Sequence, residues 1–318
     1  MFFLLLIIII YLILNINKYS IVKSNFVNSM YGKIIFPTEF DWRKVDAKKY
    51  LAMTGKKIAP GNYVSPIVNQ HISAWCGCCY MISTLQMIQD RTHIVLGLKN
   101  TNIPMIPWVV FNIQNMLNLY NKYKSPYTSG WNACKGGQPL SVLYAIESGK
   151  CPLMKSDEKF KGYPESKVPD NIMSNTKIEI KDSKRIEDTS VYNIKKIIIQ
   201  NGPLVLHISG KLLKDIDDHG IVKPNYTLKE NHAVTVVGWT FRNETECWIV
   251  RNSWGTYYVP ESFPEDMNCV SIDKNDCTVE WERWKGDPQS PGFVLLPTDF
   301  NKQHSDGWIE TTVTLKTS

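Results

Sequence analysis

Hydrophobic positions follow two rhythms along the chain. Met81, Ile82, Leu85 and Ile88 recur at the spacing of one helix face, the stripe of an amphipathic helix with Asp90 and Arg91 near its far end. Residues 140–147 and 193–200 also have helical character, whereas 203–208 and 233–237 read as buried strands bounded by glycines. The Asn201-Gly202-Pro203 break separates a helix from a strand. Helices thus gather in the first half and strands in the second, which predicts an α+β chain with two lobes. There is no internal repeat. Residues 259–299 are rich in Pro, Asp, Glu and Trp without clear period, and read as an inserted loop region that a local Cys269–Cys277 disulfide would clip.

One apolar run stands apart from these rhythms. Residues 2–14 (FFLLLIIIIYLIL) have the length of a signal-peptide core and fall short of the ~20 residues a spanning helix needs. The expected organisation is therefore a signal peptide at 1–20, a short prosegment at 21–36 and one domain over 37–318. An uncleaved membrane anchor is the alternative for the leader, since no Lys or Arg precedes the run. A cleaved leader implies an oxidising secretory route, toward an acidic lysosome-like or vacuole-like organelle or the exterior. The sequons at Asn225 and Asn243 agree with that route.

Composition narrows the function classes. The 318 residues are 43% hydrophobic and 21% charged, which is ordinary for a globular protein. The net charge of +6 is scattered, with no arginine stripe or basic helix repeat, and argues against nucleic-acid binding. The chain is expected to act as a monomer.

The densest chemistry lies at Gln70-His71-Ile72-Ser73-Ala74-Trp75-Cys76-Gly77-Cys78-Cys79-Tyr80. A cysteine that opens a helix meets the positive end of the helix dipole and unpaired N–H groups, which favour the thiolate. Cys79 occupies that place. It needs a base, and His232 opens the strand His232-Ala233-Val234-Thr235-Val236. A second strand runs Cys247-Trp248-Ile249-Val250-Arg251-Asn252-Ser253-Trp254-Gly255. Paired as a hairpin turning near Arg242, the two put His232 opposite Asn252, which could orient the imidazole. A Cys-Gly-Cys-Cys cluster could also hold zinc, but a second Cys/His pair at ligand spacing is absent, so no metal and no cofactor is expected. His207 and His219 read as structural, and Cys151 and Cys247 as buried thiols or members of local disulfides.

From about Pro37 to at least Gly255 the chain resembles the papain-like cysteine proteases, the family of papain and the cathepsins. The C-G-x-C-[W/Y] box, a histidine 153 residues after Cys79 and an asparagine 20 further on carry the likeness. The resemblance implies a two-lobed papain-like fold with its cleft between a helical and a β-rich lobe. It makes Cys79 the nucleophile, His232 the base, Asn252 the orienting residue and Gln70 an oxyanion donor. Trp254 would shield the His–Asn pair. Cys134-Lys135-Gly136-Gly137 matches the family's C-x-G-G segment, so Cys134 should bridge to Cys76, and the Gly136-Gly137 backbone should meet an extended peptide or protein substrate.

A narrower likeness is to cathepsin X (also called Z), whose mini-loop the six-residue step from Gln70 to Cys76 resembles. There the loop histidine binds a substrate's terminal carboxylate, which implies the same for a cationic His71 and restricts cleavage to one C-terminal residue. An endopeptidase of the same family and a catalytically silent papain-like binding protein remain as alternatives. The first would follow if the mini-loop does not close the primed side of the cleft. The second is motivated by Cys78 before the nucleophile, Tyr80 rather than Trp after it, and Thr256-Tyr257-Tyr258-Val259-Pro260 in place of a glycine-rich stretch.

Overall fold

The computed structural model describes residues 35–71, 75–107, 111–124, 132–153, 178–223, 225, 227–255, 287, 289–302 and 307–315. The leader, residues 21–34 of the expected prosegment and all of 256–286, the Cys269–Cys277 pair included, lie outside them. The elements run β1 (Phe40–Asp41), α1 (Ala47–Thr54), α2 (Cys79–Lys99), α3 (Ile113–Lys124), α4 (Pro139–Glu147), β2 (Ile178–Arg185), α5 (Val191–Asn201), β3 (Leu204–Ile208), β4 (His232–Arg242), β5 (Thr245–Arg251), β6 (Phe293–Pro297) and β7 (Trp308–Leu315). All pairings are antiparallel, in the order β2-β7-β3-β4-β5-β6, with β1 added beside β4.

The sheet separates two cores. On β3, Leu204, Leu206 and Ile208 enter a cluster with Trp42, Trp239, Trp248 and Trp308, all four indoles fully buried. Val205, one residue out of phase, faces the other way and joins Leu85, Ile88, Leu117 and Leu143 of the helices. Period-two alternation on one strand thus builds both lobes. The α+β, two-lobed papain-like fold expected from the sequence is the observed one.

Three expectations need correction. The helix opened by Cys79 continues to Lys99, so Asp90 and Arg91 lie past its middle and not near its end. It is also not amphipathic, being buried on every face from Cys79 to Ile94 between the sheet and the other helices. Its polar side chains are accommodated inside by carbonyl acceptors, some in the helix itself and some on neighbouring segments. Thr84 and Thr92 bond back to Tyr80 and Ile88 carbonyls, Gln86 donates to the Pro66 carbonyl, and Arg91 reaches the carbonyls of Pro203 and Thr311. Finally, the stretch read as an insertion through residue 299 ends sooner. Phe293–Pro297 is a fully buried strand paired with β5 over Cys247–Arg251, an unbroken apolar run of the kind that pattern reading leaves without a period.

Candidate active site

Cys79 is the first residue of α2, with Cys78 at the N-cap. That position aims the unpaired N–H groups of the first turn at the thiol. Burial alone would push the Cys79 pKa up. The charge and hydrogen bond of His232, with the backbone N–H groups of Ala233 and Tyr80, outweigh it and hold the thiol below its ordinary value. His232 mirrors this. Burial would lower it, but the Cys79 thiolate and hydrogen bonds to Cys79 and Asn252 keep the imidazole above its ordinary range. The pair therefore favours thiolate and imidazolium together.

The hairpin that delivers the base differs in register from the sequence reading. It turns at Asn243–Glu244, both with positive φ (46° and 60°), a two-residue turn between Arg242 and Thr245. A bulge between Val236 and Gly238 then shifts the pairing so that Thr235 faces Arg251. His232 and Asn252 lie beyond the last backbone pair. They meet through side chains, His232 Nε2 to Asn252 Oδ1 at 2.8 Å. Trp254 packs against the histidine with ring centres 4.9 Å apart and ring planes 36° apart.

Gln70 is buried and doubly held. Its Nε2 donates to the Cys76 carbonyl at 3.0 Å, and its Oε1 accepts from the Ser253 hydroxyl at 2.5 Å. One N–H of the amide thus remains for an oxyanion. Backbone bonds from Gln70 to the Ser253 carbonyl and from Gly255 to the Val68 carbonyl zip the two segments together. Ser253 is a site residue that the sequence reading passed over. A hydroxyl beside the orienting asparagine was the only signal for it.

Cys76 and Cys134 form the expected disulfide, and Gly77 N–H donates to the Cys134 carbonyl. This brings Gly136 close to Gly77 and Gly137 against Tyr80, the residue after the nucleophile. Gly137 lies so close to the Tyr80 ring that a Cβ there would come within 2.5 Å of it. Tyr80 itself donates to the Ala133 carbonyl at 3.0 Å, so the tyrosine has a built place in the helical lobe. Cys78 is buried and burial pushes its thiol up; Cys151 and Cys247 are likewise buried, each pushed up to about 12 by burial. Neither joins a disulfide, so both are buried thiols.

His71 is packed between Trp75 and Trp254, with ring centres 6.5 and 5.9 Å away. Burial first, and then the His232 charge, lower its pKa to about 4. The cation read from the sequence at mildly acidic pH is thus a neutral imidazole in the free protein. His207, read as structural, faces Ala233 across β3 and β4, 4.0 Å from Glu230, and its pKa is lowered to about 4 by burial, with the Arg185 and His232 charges adding to it. Asn225 and Asn243 are both exposed. Among the described residues no cluster of side chains could hold a metal, and no helix is long and apolar enough to cross a membrane.

A cysteine on a helix end facing a histidine and an asparagine on a sheet, with a glutamine beside them, defines a papain-like molecule. The chain belongs to the papain family of cysteine proteases, whose family model matches residues 36–283. Cysteine proteinase 2 of Entamoeba histolytica is 30% identical over 267 residues, 78% of this chain and 68% of that one. The cathepsin L-like proteinase of Phaedon cochleariae is 28% identical over 224 residues, 68% of this chain. The chain spans 60% of the Phaedon protein's length and 53% of that of Entamoeba cysteine proteinase 3. In fold it is similar to the bromelain protease of Ananas comosus solved with the E64 inhibitor, at a TM-score of 0.52 and 17% identity over 87% of this chain and 99% of that one.

Proposed function

We propose that this chain is a cysteine peptidase that removes single residues from the C-terminus of peptides, in the manner of cathepsin X. The observation that supports the chemistry is the Cys79–His232–Asn252 set, with thiolate and imidazolium mutually favoured. The Cys79 thiolate attacks the scissile carbonyl, and the oxyanion takes N–H bonds from Gln70 and from the Cys79 backbone. His232 gives its proton to the leaving amine as the C–N bond breaks and leaves a thioester. It then takes a proton from water, whose oxygen attacks the thioester and releases the acid and the thiolate.

The location of His71, stacked on the tryptophan that covers the catalytic histidine, supports an exopeptidase. A substrate carboxylate arriving there would supply a counter-charge to the imidazole. It binds with uptake of a proton by His71. Linkage then favours carboxylate substrates increasingly as pH falls toward about 4. The substrate is a peptide or protein with a free C-terminus, handled by a monomer. The exposed Asn225 and Asn243 support glycosylation on a secretory route to an acidic organelle or the exterior.

The test compares a peptide bearing a free C-terminus with its amidated twin, followed by mass spectrometry between pH 4 and 7, with Cys79→Ala and His71→Ala as controls. Loss of one residue from the free acid alone is expected, with the preference widening at lower pH and lost in His71→Ala. Internal cuts in both peptides would instead make the chain an endopeptidase. No cleavage by protein with a free thiol would make it a binding protein.

A further inference from the structure

Asp90 and Arg251 have no part in the chemistry above, yet they carry an ion pair at the centre of the molecule with both side chains at 0% exposure. Arg251 Nη2 donates to Asp90 Oδ2 at 2.7 Å and Nη1 to Asp90 Oδ1 at 3.3 Å. The same Nη1 reaches the Ser65 carbonyl at 2.9 Å and the Ser65 hydroxyl at 3.0 Å. Ser65 closes the ring, its N–H and hydroxyl donating to Asp90 Oδ1 at 2.7 and 2.8 Å. A buried ion pair adds little net stability over apolar side chains of the same volume. Its geometry is what such side chains cannot reproduce, because a planar fork fixes distance and direction together.

Each corner of this ring stands on a segment that ends in the site. Asp90 lies on α2, about 16 Å along the axis from Cys79 at the 1.5 Å helical rise. Arg251 is the last residue of β5 and is followed by Asn252. Ser65 starts the segment that reaches Gln70, which is zipped to Ser253. We infer that the Asp90–Arg251–Ser65 ring is a positioning device that sets the nucleophile helix against β5, which runs directly into Asn252, and against the segment bearing Gln70. Arg251 and Asp90 are positioning residues and touch no substrate. A shift of about 1 Å of α2 against β5 would lengthen the Cys79–His232 contact, and such misplacement can cost on the order of a hundredfold in rate.

The test uses the full chain with Arg251→Lys, which keeps the charge and loses the fork, and with Arg251→Met combined with Asp90→Leu, an uncharged pair of similar volume. Two readouts are taken on protein shown folded by circular dichroism. One is kcat and KM for a peptide substrate. The other is the pH dependence of Cys79 alkylation by iodoacetamide, which needs no substrate and so stands whatever the protein cleaves. Both variants are expected to lose roughly tenfold or more in kcat with KM within about threefold, the alkylation midpoint moving up toward that of an ordinary thiol. Wild-type kcat and an unmoved alkylation midpoint in a folded variant, whatever its melting temperature, would overturn the proposal. Should the uncharged pair not fold, Arg251→Lys decides alone. Should that not fold either, Ser65→Ala decides by the same two readouts, since it cuts one corner of the ring and leaves the ion pair.

Discussion

At the scale of single residues, the site is a set of side chains whose protonation is decided by neighbours. Cys79 is the described free thiol whose pKa is lowered, while Cys78, Cys151 and Cys247 are buried with theirs raised. Substoichiometric iodoacetamide at about pH 6 is therefore expected to label Cys79 and leave those three unlabelled, as read by peptide mass spectrometry. Ser253 acts through Gln70. Ser253→Ala removes the donor to the Gln70 carbonyl oxygen and frees the amide to turn away from the oxyanion. A fall in kcat/KM of about tenfold is expected, with a stability change near 1 kcal/mol, the ordinary worth of one hydrogen bond. Steady-state kinetics and thermal melting separate the two effects. Cys79, His232, Asn252 and Gln70 were legible in the sequence because their residue types and spacing repeat a family pattern. Ser253 was not, since its role depends on a contact across 183 residues.

At the scale of elements, polar side chains on α2 misled the pattern reading. A stripe at 81, 85 and 88 is real, but the remaining faces are also inside, where Gln86 and Arg91 donate to carbonyls of other segments and Thr84 and Thr92 to carbonyls of the helix itself. The base strand shows the opposite dependence, in which a close backbone approach dictates the residue. Gly238 lies where β1 pairs antiparallel with β4, and a Cβ there would fall 2.0 Å from the Phe40 carbonyl oxygen. Gly238→Ala is expected to push β1 off the sheet and cost roughly 2 kcal/mol or more, measured by urea denaturation. Activity of the remaining folded fraction should change little. The His232 end of the strand is still held by β3, where Ile208 pairs with it.

At the scale of the whole molecule, the two lobes each supply half of one ion pair. Cys79 belongs to the helical side and His232 to the sheet, and each shifts the other in the direction that keeps both charged. The activity expected is a bell in pH. Acid protonates a thiolate whose pKa is depressed, so the lower limb lies below the ordinary thiol value. Alkali removes the proton of an imidazole whose pKa is raised, so the upper limb lies above the ordinary histidine value. Asn252→Ala removes one of the hydrogen bonds that raise His232, and the upper limb should move to lower pH in a kcat/KM profile.

Sequence alone determined what is local and chemical. It placed Cys79 at the opening of a helix, the break at 201–203 between α5 and β3, the strand behind His232 and, through family likeness, the Cys76–Cys134 bridge. Each of these follows from residue type and near-neighbour spacing, which the chain carries in one dimension. The tertiary structure decided the rest. It moved the hairpin turn to Asn243–Glu244, neutralised His71 between two indoles, and joined Arg251 to Asp90 across 161 residues of chain. Register, desolvation and long-range charge depend on which distant groups share a small volume, and only the packed fold brings those groups together.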